Sequence, residues 1–296
     1  MKLALILLFI PVMFGKLFSQ KTEPTRITAN GVELHYIEKG RGEPLVLLHG
    51  GVGDYRSWDL QIDEFSKNYR VISYSRRYHF PNKNTPHSKY KAAITEAEDL
   101  AALLRALKIE RVHLVGHSYG GLIALIFAVK HPEAVRSLVL SEPPAHQLVR
   151  DLPGGETLYR DFMNAMKSVV EAFKQGNDRK AMGIFSAVLG RDLDKLPPPL
   201  IERTMQNALA IRAINESPEP FPKISKKKLR RLKIPTLIIT GANTVGIHKL
   251  VDQELVRLIP DVKEYIVPNA GHISARDSPQ IYNESVLNFL KNLAAK

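Results

Sequence analysis

Apolar positions along this chain fall into short runs separated by longer amphipathic stretches. Residues 32–36 alternate apolar and polar side chains, the period of a half-buried strand. Residues 44–48 form a continuous apolar run that stops at His49-Gly50-Gly51. Runs of the same kind recur at 71–74, 111–115 and 137–140, the middle one ending at Gly116. Between them, 92–107 and 122–129 place apolar residues at helical spacing. Continuous apolar strands separated by helices predict a mostly parallel sheet covered on both faces.

The pattern changes after residue 142. From about Pro143 to Arg231 it is helical throughout, with breaks at Pro153-Gly154-Gly155 and Pro197-Pro198-Pro199. Strand periodicity returns at 236–240, closed by Gly241, and again at 262–267, before a last helix at 281–293. The chain therefore reads as one α/β core, residues 25–142 and 232–296, interrupted by a helical insertion at 143–231. No internal repeat or low-complexity segment interrupts this order.

The first residues carry an address. Lys2 precedes an apolar run at 3–15, broken by Pro11, and Lys16 then leads into Leu17-Phe18-Ser19-Gln20. A basic start, a short apolar core and a small residue before a polar stretch predict a secretory signal peptide, residues 1–19, cleaved after Ser19. The run is shorter than the roughly 20 apolar residues of a spanning helix. The expected destination is secreted or periplasmic, with no stable membrane span after cleavage; retention as an uncleaved anchor is the alternative.

Composition adds limits. Apolar residues make up 44% and charged residues 24%, an ordinary globular balance. The net charge of +12 invites a nucleic-acid reading. However, the main basic run, Lys226-Lys227-Lys228-Leu229-Arg230-Arg231, has no aromatic residue on which a base could stack. It is expected to be an exposed linker before the 236–240 strand, so no nucleic-acid partner is expected. The chain has no cysteine, which excludes disulfides, Cys-based zinc sites and thiol nucleophiles.

The chemistry centres on Gly116-His117-Ser118-Tyr119-Gly120-Gly121. This G-x-S-x-G sequence follows a predicted strand and opens a predicted helix, the context in which a nucleophilic serine sits on a strained turn with its hydroxyl exposed. Such a turn needs minimal neighbours, hence Gly116 and Gly120. The helix N-terminus adds a positive dipole at the reacting centre.

On these residues, with His49-Gly50-Gly51 and Asn269-Ala270-Gly271-His272, the chain resembles the α/β-hydrolase superfamily from about residue 25 to 293. It resembles most those bacterial members with Ser-Arg-Arg-Tyr-His-Phe-Pro-Asn (75–82) and Ser141-Glu142-Pro143-Pro144 after core strands. The resemblance implies an α/β-hydrolase fold, a mostly parallel sheet of about eight strands with a helical lid insertion. It also implies a Ser, acid, His order in which His272, after the last strand, is the base. His49 is expected to support the oxyanion loop, and His117 to point away from Ser118.

The acid departs from the family pattern. The loop after 236–240 reads Gly241-Ala242-Asn243-Thr244-Val245-Gly246 and offers no carboxylate. A buried carboxylate is still needed to fix the imidazole tautomer and stabilise imidazolium. Glu142, at the end of the 137–140 strand, is the expected acid, since some relatives carry theirs there. Asp252 is the alternative, expected on a helix at 249–258 facing solvent; Asn243 would orient His272 without supplying charge. The oxyanion hole is expected from the backbone N–H of Tyr119 with that of Gly51 or Val52.

In the insertion, Phe162, Met163, Met166, Val169, Val170, Phe173, Met182, Phe185 and Leu189 are expected mostly to pack lid on core, a subset lining an acyl or ring pocket. Trp58 and Tyr119 read as core or pocket wall, and Arg76 and Arg77 as structural. The implied function is acyl transfer on a small-molecule acyl substrate, with no cofactor and no metal. Carboxylic-ester hydrolysis comes first; amide, lactone and carbon–carbon bond hydrolysis stay open, because the fold hosts all of them. Epoxide hydrolysis and dehalogenation in this family usually use an aspartate nucleophile, against which Ser118 argues. A non-catalytic secreted ligand-binding protein is the alternative from another class.

Overall fold

Period-two burial along the strands gives one sheet two apolar faces. In β3 (Pro44–Leu48), Leu45 and Leu47 pack on one side while Val46 and Leu48 pack on the other, as the pleat requires. A computed structural model of the chain describes residues 23–294; the expected signal segment, 1–19, lies outside them. The other strands are β1 (Thr25–Ala29), β2 (Val32–Lys39), β4 (Arg70–Tyr74), β5 (Val112–His117), β6 (Val135–Ser141), β7 (Thr236–Gly241) and β8 (Val262–Val267).

They form one eight-stranded sheet in the order β1-β2-β4-β3-β5-β6-β7-β8. β1 and β2 pair antiparallel, as do β2 and β4; every other pair is parallel. The fold is thus the expected α/β-hydrolase sheet. β1 went unforeseen because its five residues, Thr-Arg-Ile-Thr-Ala, are mostly exposed at the sheet edge and carry little apolar signal.

Helices α1 (Ile62–Phe65), α2 (Ala93–Ala106) and α3 (Tyr119–Lys130) connect the early strands. Every residue of α3 from Tyr119 to Ala128 is buried, which explains a helix that shows no polar face in sequence. Between β6 and β7 lie α4 (Gly155–Lys174), α5 (Asp178–Val188), α6 (Pro198–Met205), α7 (Ala208–Glu216) and α8 (Lys226–Leu229), with no strand among the described residues. In α4 the buried positions Phe162, Met166, Val169 and Phe173 follow a helical stripe. After β7 come α9 (Gly246–Leu258), then β8, α10 (Ser274–Asp277) and α11 (Pro279–Ala294).

The basic run is not the exposed linker its charge predicts. Ser225 caps α8 by accepting from the Lys228 N–H, Leu229 is fully buried, and Lys226 pairs with Asp151 at 2.7 Å and Glu254 at 3.2 Å. A single buried leucine and one paired lysine suffice to dock the segment. Lys227, Lys228 and Arg230 remain exposed.

Just beyond β4, two arginines meet two acids of α2. Arg76 pairs with Glu96, and Arg77 with Asp99, with all four side chains buried. Glu96 also accepts from Tyr90, and Asp99 from Asn30 at 2.7 Å. Glu96 and Asp99 stand three apart on α2, so one helix face presents both. Breaking a buried pair by deleting one partner leaves an uncompensated charge. Glu96→Ala is therefore expected to cost about 3–5 kcal/mol in urea unfolding. A loss under about 1 kcal/mol would show that water or relaxation compensates Arg76.

Candidate active site

The elbow is built from backbone that only minimal side chains permit. A Cβ on Gly116 would lie 2.7 Å from the Gly120 carbonyl oxygen, and one on Gly120 would lie 2.3 Å from that of Leu48. β5 can therefore turn into α3 within one residue, and that residue is Ser118, at φ +50° and ψ −124°. A non-glycine residue there stores strain that the surrounding packing must hold. The Ser118 N–H donates to the Ser141 carbonyl at 2.8 Å, tying the turn to the end of β6.

Sheet register sets the partners. His117 pairs with Ser141 across β5 and β6, so Ser118 and Glu142 are the next residues on adjacent parallel strands. Glu142 is itself at φ +51°, the second left-handed residue at this edge. His272 follows β8 and reaches the same edge. Its Nε2 lies 2.9 Å from Ser118 Oγ and its Nδ1 2.6 Å from Glu142 Oε2. The hydrogen-bond network assigns the proton to Nδ1, which donates to the carboxylate, and leaves Nε2 to accept from the serine.

Glu142 is fully buried. Its Oε1 accepts from the Gly241 N–H at 2.8 Å, and its Oε2 from the Thr244 hydroxyl at 2.5 Å as well as from His272. The loop that lacks a carboxylate therefore holds the carboxylate of the neighbouring strand. Asn243 makes no side-chain contact with His272.

Asp252 corrects the sequence reading. It was expected to face solvent, yet it is completely buried, 2.7 Å from the Thr240 hydroxyl. It lies on the inner face of α9 with Val251 and Leu255, where a carboxylate is rarely found. Burial, then the nearby Glu142, pushes its carboxyl well above the usual range. It does not touch His272. Glu142, His248 and His272 each bring one ligand-type atom within 4.8 Å of the others. A metal ion would have to break the His272–Glu142 bond to use them.

His49 does support the oxyanion loop. Its Nδ1 donates to the Gly50 carbonyl at 2.8 Å and its Nε2 accepts from the Arg76 N–H at 3.0 Å. Arg76 donates further to the carbonyls of His49 and Gly50 at 3.2 and 3.1 Å. The Gly51 and Val52 N–H groups donate to no described residue, and both residues line the cavity at Ser118. Tyr119 is the first residue of α3, where an N–H has no intrahelical acceptor. His117 Nε2 donates to the His272 carbonyl at 2.7 Å, so it positions the histidine loop rather than the serine.

Two cavities flank Ser118. One is bounded by Val52, Trp58, Leu200, Ile273 and four arginines, Arg56, Arg191, Arg203 and Arg276. Arg56 pairs with Asp54 and Arg203 with Asp59, whereas Arg276 makes no side-chain hydrogen bond to a described residue. Burial, then Arg203, pulls the Arg276 guanidinium below its usual range. The second cavity is smaller and apolar, walled by Phe162, Phe185, Leu189, Ile211 and Phe221. Of the insertion residues expected to pack or line a pocket, Phe162, Phe185 and Leu189 reach the site, whereas Met166 and Met182 pack in the core. Sequence reasoning missed the arginine rim, Phe221 and the histidines behind His272. Their one available signal was placement after the strand ends where such folds bind ligands.

Residues 43–279 match the alpha/beta hydrolase fold family. Epoxide hydrolase 3 of Xenopus tropicalis is 26% identical over 301 residues, covering 90% of this chain and 77% of its own. A 2-hydroxy-6-oxononadienedioate/2-hydroxy-6-oxononatrienedioate hydrolase of Burkholderia vietnamiensis is 27% identical over 288 residues, or 92% of this chain and 96% of that one. The crystal structure of carboxylesterase CesB from Bacillus subtilis matches with a TM-score of 0.73 at 23% identity, covering 90% of this chain and 91% of that one. The chain belongs to the alpha/beta hydrolase fold family. It is a hydrolase, and its relatives divide among several bond types.

The histidines around the site set a stability profile. Burial lowers His49, His117 and His146 to about 3, with Arg76 adding to the first and His272 to the other two. Between that value and the ordinary 6.5, the unfolded chain binds protons that the folded chain does not. Their contribution is intact above the ordinary value and is lost as pH falls, by about 2 kcal/mol per histidine at pH 5. Thermal unfolding is expected to show Tm falling by about 10 °C or more from pH 7.5 to 5. His146→Phe should flatten that slope. An unchanged Tm would mean that these imidazoles charge freely in the folded protein.

Proposed function

We propose that the protein is a serine hydrolase that acts by acyl transfer, with carboxylic esters as its first substrates. The observation that carries this reading is the unbroken relay from Ser118 Oγ through His272 to Glu142, opening between the two cavities. A serine hydroxyl becomes a competent nucleophile only when a base takes its proton, and His272 Nε2 is within reach to do so. As Ser118 attacks the carbonyl, His272 becomes imidazolium and Glu142 stabilises it. Negative charge then develops on the former carbonyl oxygen. The N–H groups of Tyr119 and of Gly51 or Val52 are the donors for it. His272 returns the proton to the leaving group, then activates water to release the acyl group from Ser118. The apolar cavity suits the acyl part, and the arginine-rimmed one the leaving part.

A second reading is hydrolysis of a carbon–carbon bond beside a ketone on the same relay. The arginine rim favours it, since several relatives are named for acting on dienoates and dienedioates, which are acids. A guanidinium without a carboxylate partner, such as that of Arg276, is suited to such an anion. The two readings separate on substrate. A panel of p-nitrophenyl esters should turn over faster than a 2-hydroxy-6-oxo-dienoate; the reverse order would replace the ester reading.

A fluorophosphonate probe should label Ser118, and Ser118→Ala should lose both labelling and more than about 10³-fold in kcat. Glu142→Gln keeps the shape and removes the charge, and a loss of about 10³- to 10⁴-fold is expected. Asp252→Asn should stay within tenfold, on the order of 1 kcal/mol. If Asp252→Asn lost activity while Glu142→Gln kept it, the acid would be misassigned.

We also propose export, on Lys2, the 3–15 apolar run and Ser19. Intact mass of the chain recovered from the native cell envelope or medium should lack residues 1–19. A mass that retains them would point to an anchor.

A further inference from the structure

His248 and His146 stand behind the relay and take no part in it. His248, on the first turn of α9, stacks on His272 with ring centroids 4.3 Å apart and planes 17° from parallel. His146 lies 5.3 Å from His248 and 4.2 Å from Phe162, centroid to centroid. Their exposures are 1% and 0%, and none of their four ring nitrogens has a hydrogen-bond partner.

A buried imidazole with unpaired nitrogens weakens a fold, and a phenylalanine or leucine would fill the same space without that penalty. His248 differs from an ordinary core histidine in lining the apolar cavity beside Ser118. The other walls there are the hydrocarbon of Phe162, Phe185, Leu189, Ile211 and Phe221. Tyr119 borders it too, but its hydroxyl is already committed, donating to the Pro220 carbonyl at 2.7 Å and accepting from the Ala93 N–H at 3.1 Å. Apart from the nucleophile, His248 is thus the polar side chain there with capacity to spare.

We infer that His248 is a specificity residue of the acyl cavity, selecting short acyl groups that carry a hydroxyl or keto oxygen a few bonds from the scissile carbonyl. The inference rests on the acyl-transfer reading. His248 and Ser118 line the same small cavity, so an acyl chain on Ser118 would meet the His248 ring. Burial, then His272, His146 and His117, holds His248 well below its ordinary value, so the ring is neutral at working pH. A neutral imidazole offers one donor and one acceptor, which serves either kind of oxygen. The cavity is the smaller of the two beside Ser118 and is closed in by Phe162, Phe185, Leu189, Ile211 and Phe221, which favours short acyl chains. His146 packs against the far side of His248 and is a positioning residue for it.

The test compares p-nitrophenyl 3-hydroxybutanoate with p-nitrophenyl 3-methylbutanoate, which differ by a hydroxyl in place of a methyl of similar size. Wild type should favour the hydroxy ester in kcat/KM by about tenfold or more, since a site built around a hydrogen bond discriminates against the analogue lacking it. In His248→Leu the ratio should fall to about one, whereas His248→Gln should retain part of it. The ratio is insensitive to a general loss of activity and would not respond to a merely structural role. A wild-type ratio near one overturns the inference, and stands as the test even if His248→Leu does not fold. A folded His248→Leu that keeps the ratio also overturns it. If neither ester is hydrolysed and Ser118 resists the fluorophosphonate, the acyl-transfer reading itself has failed.

Discussion

The carboxylate of Glu142 is where three parts of the chain meet. It ends β6, accepts from the Gly241 N–H and the Thr244 hydroxyl after β7, and accepts from His272 after β8. Among the described residues no lysine or arginine pairs with it, so hydrogen bonds hold it where it is fully buried. Each of those donors would be left unpaired in a buried place if Glu142 were truncated. Satisfying the carboxylate and closing the sheet's C-terminal edge are one event. The left-handed backbone at Ser118 and at Glu142 is the strain that this edge carries.

A second acid stands nearby and is held differently. Asp252 comes from α9 into the same region, and its carboxyl is pushed well above the usual range by burial and by Glu142. Two carboxylates in a shared low-dielectric space cannot both ionise. The one that reaches His272 also has the backbone and hydroxyl donors, whereas Asp252 has a single hydroxyl contact. The same economy appears under the oxyanion loop. Arg76 holds the carbonyls of His49 and Gly50 down, and Glu96 balances its charge. With those carbonyls held by Arg76, the N–H groups of Gly51 and Val52 make no bond to a described residue.

Much of this was legible in the sequence, for physical reasons. The parallel sheet showed because strands buried on both faces are written as unbroken apolar runs. The elbow showed because its geometry admits only glycine at Gly116 and Gly120. Glu142 could be reached by exclusion, since the loop at 241–246 holds no acid. What did not show depends on tertiary position. α8 looked like a linker because Leu229 is its single buried apolar side chain. Asp252 looked exposed because an acid is rarely buried, and nothing local announces that this one faces inward from the middle of α9. β1 is too exposed and too short to carry a periodic signal. Arg191, Arg203 and Arg276 are scattered through the chain, and only the folded insertion gathers them at one cavity.

The histidines follow from the same constraint. A neutral imidazole can be buried where a charged group cannot, and it still offers a donor and an acceptor. His49 and His117 use that capacity on backbone carbonyls, and so fix the oxyanion loop and the histidine loop. His146 and His248 make no such bond, although both are fully buried and His248 stacks on His272. Identical chemistry in neighbouring positions, spent on the protein in one pair and unspent in the other, separates scaffold from recognition. The first pair recovers its burial cost through hydrogen bonds within the fold, and the second does not.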